Sequence, residues 1–311
     1  MRDHPASRVA ICLSCRQVID LDGALLWPLL RENVTTSGNG GRMKWKLLGP
    51  VEVHRVDRQV RHLRPRQRAV LAYLLLNANR VVSTGQVIDA VWAHTPLRSA
   101  RLQAQACVSA LRRAMAANLA DGPLVSEAGG YRMVVANGEL DHEDFVQRVS
   151  HARSSHRAGR SEEAADQLRA ALALWRGTPL GGANGAFVAD ASAALEQQRL
   201  AAHEDLADIE LSLGRHASLV PELSTLVSAN PFRERLAAQL VVALAGAGQQ
   251  ARALKVYQEV KSRLAEELGL EPGSGLSAAY LSVLRNEIPG RRRDGSAPSS
   301  LVRIDGWQAS I

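Results

Sequence analysis

Ser99-Ala-Arg-Leu-Gln-Ala-Gln-Ala-Cys-Val-Ser-Ala-Leu-Arg-Arg-Ala-Met115 is the stretch on which the reading of this chain turns. At helical period, Ala104, Val108, Leu111 and Met115 fall in one apolar stripe. Arg101, Gln105, Ser109 and Arg112 fall in a neighbouring stripe that holds no acid. Arg and Gln are the side chains that make two-pronged contacts with guanine and adenine edges. A helix packed along one side and lined with Arg and Gln along the next suits a DNA major groove. The competing reading is an amphipathic surface helix with a solvated basic face, and the flanking sequence has to decide between them.

Upstream, Lys44-Trp-Lys-Leu-Leu48, Gly49-Pro50 and Val51-Glu-Val-His54 read as strand, turn and strand, and Arg58 to Leu63 offers another strand. Arg64-Pro65 opens a helix with proline in its first turn; Val70, Leu71, Leu74 and Leu75 give its core stripe, and Asn79 closes it. Ser83 caps the next helix with Gln86 three residues on, a capping box, and Val87, Ile88, Val91 and Trp92 form its apolar face. His94-Thr-Pro-Leu97 is the turn into the third helix. Downstream, Leu124-Val125, Gly129-Gly130 and Tyr131-Arg-Met-Val-Val135 read as a hairpin. Strands, three helices and a hairpin in this order make a winged helix-turn-helix.

From Asp141 onward the pattern is almost entirely helical. Ala158-Gly159-Arg160, Leu213-Gly214-Arg215 and Ala247-Gly248-Gln249 are similar turns, each followed five residues after its Gly by Ala164, Leu219 or Ala253. Gly214 and Gly248 are 34 residues apart, as are Leu223 and Tyr257, and Leu226 and Val260. That is the tetratricopeptide period. Asn230-Pro231 punctuates the two units. The expected fold is mainly α with small β elements: a winged helix-turn-helix followed by a tetratricopeptide-like all-α domain.

The 311 residues suit about two domains, and a hydrophobic content of 46% is ample for their cores. Charge separates the two. Residues 43–137 carry 14 Lys and Arg against 5 Asp and Glu, net +9, and residues 138–289 carry 15 against 20, net −5. A basic domain joined to an acidic one fits nucleic acid at one end and protein or solvent at the other. Residues 1–42 end in Thr-Thr-Ser-Gly-Asn-Gly-Gly-Arg and read as a flexible extension, either a genuine appendage or the product of a start upstream of Met43. Residues 290–311 begin Gly-Arg-Arg-Arg and read as a disordered tail. The expected division is therefore 1–42, 43–137, 138–289 and 290–311. Three cysteines build no disulfide framework and point to a reducing, cytoplasmic setting. Cys12 and Cys15 form a lone Cys-x-x-Cys with no second pair, and Cys107 reads as a small buried residue. The segment Ile11 to Leu30 is broken by Arg16, Asp20, Asp22 and Pro28, so it is not read as a membrane span.

The chain resembles the Streptomyces antibiotic regulatory protein family of transcriptional activators over about residues 45–285. The resemblance rests on Leu48-Gly-Pro-Val-Glu-Val53, Arg66-Gln-Arg-Ala-Val-Leu-Ala-Tyr-Leu-Leu76, Arg80-Val-Val-Ser83 with Asp89-Ala-Val-Trp92, Val108-Ser-Ala-Leu-Arg-Arg113 and Gly130-Tyr-Arg132. Ala173-Leu-Trp-Arg-Gly177, Leu213-Gly-Arg215 and Glu266-Glu-Leu-Gly-Leu-Glu-Pro-Gly273 are similar to the family's bacterial transcriptional activator domain. The resemblance implies an OmpR-type winged helix that binds direct repeats near promoters of biosynthetic clusters and recruits RNA polymerase with its sigma factor, and the acidic helical domain, net −5, suits packing on a neighbouring protomer there. With no phosphate-binding loop for an ATPase domain, the sequence is similar to the small form of the family. Ala110 and Glu127-Ala128 depart from the family pattern, which has Arg at the first position and Arg or Pro near the second.

On this reading Arg98 and Arg101 meet phosphate or base edges at the helix entry. Gln105 and Ser109 read bases; Arg112, Arg113 and Arg132 hold phosphate. Arg64, Arg66 and Arg68 add phosphate contacts or form a solvated run. Trp92 and Trp175 are core anchors rather than stacking platforms. Glu162-Glu163 and Glu266-Glu267 are helical surface pairs, no nucleophile elbow or His-Glu-x-x-His spacing occurs, and the sequence points to neither an enzyme nor a cofactor or metal site. The alternatives are a repressor built on the same DNA-binding domain and a helical-repeat scaffold whose basic domain binds protein.

Overall fold

The computed structural model describes residues 9–11, 18–20, 43–55, 63–93, 97–115, 122–288 and 290. Strands β1 (Val9–Ile11) and β2 (Val18–Asp20) pair antiparallel, so part of residues 1–42 holds regular pairing that a flexible extension does not anticipate. They belong to a unit separate from residues 40–292. The Arg58–Leu63 strand, the His94–Pro96 turn, Cys12, Cys15 and the 291–311 tail lie wholly or mostly outside the described residues.

In the larger unit, β3 (Met43–Lys46) and β4 (Glu52–Arg55) pair antiparallel, with Trp45 opposite Val53 and both buried. Helix α1 (Pro65–Leu76) starts on its proline, and the Gln67 side chain accepts the Arg64 N–H at 2.9 Å. Strand β5 (Val81–Ser83) follows, a strand that the sequence pattern does not announce. Helix α2 (Thr84–Trp92) has the expected capping box: Ser83 Oγ accepts Gln86 N–H at 3.1 Å and Gln86 Oε1 accepts Ser83 N–H at 2.9 Å. Then come α3 (Leu97–Met115), β6 (Leu124–Glu127) and β7 (Gly130–Met133). β7 lies between β5 and β6 in a three-stranded antiparallel sheet.

Two local devices hold that sheet to the helices. Asn79, at φ 63°, turns the chain out of α1. Its backbone N–H donates to Met133 O at 2.8 Å, and its amide both donates to Val135 O at 2.9 Å and accepts Val135 N–H at 3.0 Å. Asparagine is among the residues that tolerate this left-handed conformation. At Gly130 a Cβ would sit 2.2 Å from Val82 O, so only glycine lets β7 approach β5 this closely.

The helical part runs α4 (Asp141–Arg157), α5 (Ser161–Leu172), α6 (Val188–Ser212), α7 (His216–Ala229), α8 (Glu234–Gly246), α9 (Gln250–Arg263), a π-helical turn Leu264–Leu268, and α10 (Ser274–Leu284). Gly159, Gly214 and Gly248 take φ of 79°, 78° and 79° in the three turns picked out by sequence. Each ends one helix in the left-handed conformation and lets the next fold back, giving the pairs α4/α5, α6/α7 and α8/α9. Ala164 and Ala253 are fully buried and Leu219 nearly so.

The apolar interior is not divided at residue 137. One core runs from Met43 through the winged helix to Ile209, and a second spans Leu200 to Ile288, so both draw on α6. The α5–α6 connection, residues 173–187, wraps the winged helix. Leu48 O and Leu47 O accept the N–H groups of Arg176 (2.7 Å) and Leu180 (3.0 Å); Gly181 O accepts that of Val51 (3.0 Å), Pro65 O that of Asn184 (3.2 Å) and Ala90 O that of Phe187 (3.1 Å). Phe187 meets Tyr73 of α1 edge-on at 5.1 Å, and Trp175 meets Phe145 of α4 at 5.3 Å. Trp92 and Trp175 are buried, as core anchors should be.

Asp141 locks the same junction. Its carboxylate accepts Leu47 N–H at 2.8 Å and Leu48 N–H at 3.1 Å, with the Arg176 guanidinium 3.5 Å away. Burial pushes its carboxyl up, against the pull of the two amides and Arg176. Beside it, His142 Nε2 lies 2.9 Å from Gln198 Oε1, so the ring nitrogen donates. Burial holds the His142 imidazole below the usual histidine value, against the opposing pull of Gln198 and Asp141. Between the folded and unfolded titration points the unfolded chain binds more protons. The stability from neutral His142 is thus present above about pH 6.5 and is lost as pH falls, by at most about 1.4 kcal/mol per pH unit. In urea titrations from about pH 7 to about pH 5, His142→Gln is expected to lose less stability than the wild type. Parallel losses would remove His142 from the acid response.

Candidate nucleic-acid interface

Helix α3 is the basic helix of the sequence reading, and it contains no acidic residue. Ala100, Ala104, Val108, Leu111 and Met115 are all buried, so the apolar stripe faces the core. Its two flanks are taken by neighbours. On one, Gln103 Oε1 accepts the Trp92 indole N–H at 2.9 Å and an Arg66 N–H at 2.8 Å, tying α3 to α2 and α1. The Arg66 guanidinium also stands 5.6 Å over the Trp92 ring. On the other flank, Arg112 Nε donates to Leu124 O at 3.0 Å and Nη2 to Ser126 Oγ at 2.7 Å, fastening α3 to the hairpin.

What remains open lies between these flanks. Arg101, Gln105, Ser109 and Arg113 are exposed and make no side-chain hydrogen bond or ion pair among the described residues. Arg98 starts the same helix, although its side chain lies outside the described set. The arrangement presents a cationic, hydrogen-bonding helix face beside a two-stranded wing.

Two of the sequence-assigned phosphate contacts prove to be engaged. Arg112 is half-buried and spends Nε and Nη2 on the hairpin. Arg132 pairs with Glu127 at 2.5 Å, diagonally across the β6–β7 ladder, so the acid noted near the wing tip neutralises the wing cation. Of the α1 arginines, Arg66 is fixed on Gln103 and Trp92, and Arg68 is half-buried against the glycine loop at Gly182. Cys107 is half-buried rather than enclosed, and burial pushes its thiol up, with Arg66 opposing. Gln103 went unassigned in the sequence. Its signal was position: at about 100° per residue it sits on the α3 edge facing α1 and α2.

The acids in the middle of α6 are drawn into ion pairs, and Glu204 and Glu210 among them are buried. Glu204, Asp205, Asp208 and Glu210 lie on α6. Arg233 and Arg235 meet Glu204 at 2.7 and 3.3 Å, and Arg235 also meets Asp205 at 3.0 Å and Asp208 at 2.6 Å. Arg153 reaches Asp205 at 2.8 Å, while Arg169 and Arg215 bracket Glu210. Burial pushes the Asp208 carboxyl up, against the pull of Arg235 and Gln239. Glu162 and Glu163 are exposed but paired, with Arg215 and Arg160. No helix among the described residues is long and apolar enough to cross a membrane.

This architecture, a winged helix backed by paired helices, is that of a transcriptional regulator. Residues 58–133 match the family described as transcriptional regulatory protein, C terminal, and residues 140–284 match the bacterial transcriptional activator domain. The chain is 34% identical to the transcriptional regulatory protein MoaR1 of Mycobacterium tuberculosis, over 83% of this chain and 84% of MoaR1. It is 38% identical to the regulatory protein AfsR of Streptomyces coelicolor over 79% of this chain, but it spans only 24% of that much longer relative. The solved structure of Mycobacterium tuberculosis EmbR in complex with a low-affinity phosphopeptide matches with a TM-score of 0.75 at 33% identity, covering 79% of this chain and 66% of EmbR. The chain belongs to the Streptomyces antibiotic regulatory protein family.

Proposed function

We propose that this chain is a sequence-specific DNA-binding transcriptional activator of a secondary-metabolite gene cluster. In this reading it binds direct repeats near promoters, touches a neighbouring protomer there, and recruits RNA polymerase with its sigma factor. The observation that carries the reading is the open face of α3: Arg101, Gln105, Ser109 and Arg113 are exposed and unpaired among the described residues, on a helix free of acids whose flanks are fixed by Gln103 and Arg112. Family membership supports the same conclusion. Residues 43–137 supply the DNA contact and residues 138–289 the protein contacts. The chain acts in the cytoplasm as a regulator rather than as a catalyst.

Within this reading Gln105 and Ser109 read base edges, and Arg98, Arg101 and Arg113 hold phosphates or bases at the ends of the helix. Arg132 reaches phosphate only by leaving Glu127, and Arg112 sets the wing against the helix instead of meeting DNA. Gln105→Ala is expected to change sequence preference by about 1–3 kcal/mol of discrimination, while Arg113→Ala weakens specific and random duplexes alike. Competition binding against a panel of single-base variants separates the two. Equal losses on every duplex for Gln105→Ala would remove it as a reader.

The test of the whole reading is a DNA-shift titration of the full chain on the promoters flanking its gene, repeated across salt. About four to five phosphate contacts give a slope of about −4 in log affinity against log salt. Binding indifferent to salt, or no binding, would overturn the assignment and favour the protein scaffold. A footprint covering the polymerase site itself would favour the repressor.

A further inference from the structure

The ridge of α3 directly opposite its buried stripe is not the one with the most arginine. At about 100° per residue, Leu102, Ala106, Ser109 and Arg113 project away from Ala104, Val108, Leu111 and Met115. Leu102 is 69% exposed, and Ala106 one turn later is exposed as well. The flanks of the helix are occupied by Trp92, Arg66 and the hairpin, so this ridge is the part of α3 that enters furthest into anything docked on it. Leu102, between Arg101 and Gln105 on a helix with no acid, is left open by the described residues and has exposed Ala106 beside it. The cations around it select a polyanion rather than an apolar protein face.

Within the major groove the apolar feature of a base-pair edge is the thymine C5-methyl group, and apolar side chains are its partners. We propose that Leu102, extended by Ala106, reads thymine methyl groups and so fixes the position of thymine in the target duplex. This rests on the DNA-binding reading above and adds a specificity determinant to it. Gln105 supplies a hydrogen bond beside the ridge and Ser109 one on it; Leu102 and Ala106 supply the apolar contact at its crest.

The full chain is first used to select a preferred duplex from a random pool. Each thymine of that duplex is then replaced singly by uracil, which removes the methyl and leaves the pairing edge and phosphates unchanged. Wild type is expected to lose about fourfold in affinity at one or two thymines, the worth of one buried methyl. Leu102→Ala is expected to bind the thymine duplex more weakly and to be indifferent to uracil at one of those positions, which is direct coupling between residue and methyl. Enrichment of a duplex with no methyl-sensitive thymine would overturn the proposal, and so would a Leu102→Ala protein that keeps the full uracil penalty at every position. Either result leaves DNA binding standing. A pool that yields no enriched duplex would instead overturn the DNA-binding reading itself.

Discussion

Replacing Glu204 with alanine is expected to destabilise the folded chain by about 3–5 kcal/mol. Glu204 is buried in the middle of α6, and its carboxylate meets Arg233 at 2.7 Å and Arg235 at 3.3 Å. Both guanidiniums are half-buried, so the truncation leaves two cations short of a partner in a region poor in water. Removing one member of a buried pair costs far more than the pair contributes when intact, because the survivor's desolvation is no longer offset. Asp205 and Asp208 still hold Arg235, so the loss falls mainly on Arg233 at the entry to α8. Chemical denaturation followed by circular dichroism measures the effect. A change below about 1 kcal/mol would show that these ions behave as a screened surface pair.

The second large effect is expected at Asp141. Alanine there removes the acceptor for two backbone N–H groups, those of Leu47 and Leu48, and both of these residues are fully buried. Each orphaned donor costs about 1–3 kcal/mol, giving about 4 kcal/mol for the pair. Arg176 keeps Glu52 at 3.0 Å and so is not stranded. Asp141→Asn retains one carbonyl acceptor and should recover about half of the loss. Thermal unfolding of the two variants beside wild type provides the comparison. Equal melting temperatures for the alanine and asparagine proteins would mean that charge, not hydrogen bonding, is what the junction uses.

The parts of this fold legible in sequence are those with local chemistry. The period of Ala104, Val108, Leu111 and Met115, the Ser83–Gln86 box and the glycines at 159, 214 and 248 each write their conformation within a few residues. What stayed hidden depends on partners far along the chain. Strand β5 is three residues long and exists through pairing with β7, Val81 facing Arg132, so no local pattern announces it. Arg112 looked like its neighbours on the helix until the hairpin was placed beside it. The acids of α6 contribute to the net −5 of residues 138–289, and no local pattern shows which of them find a cation. Arginines from α4, α5, the turn before α7 and the entry to α8 pair with them. Leu102 was passed over because apolar residues in a helix are ordinarily assigned to its core side.

The grip of residues 173–187 on the β3–β4 turn, α1 and α2 sets a fixed compass bearing between α3 and the helical hairpins. A domain on a loose tether can face any direction from its DNA site; this one cannot. Successive copies on direct repeats would therefore aim their hairpins along the same heading only when the repeats recur in phase with the duplex, about every 10.5 base pairs. A spacer changed by about half a turn would swing the next copy to the far face of the duplex. The phase of the repeats, and not their sequence alone, would then decide whether neighbouring copies meet.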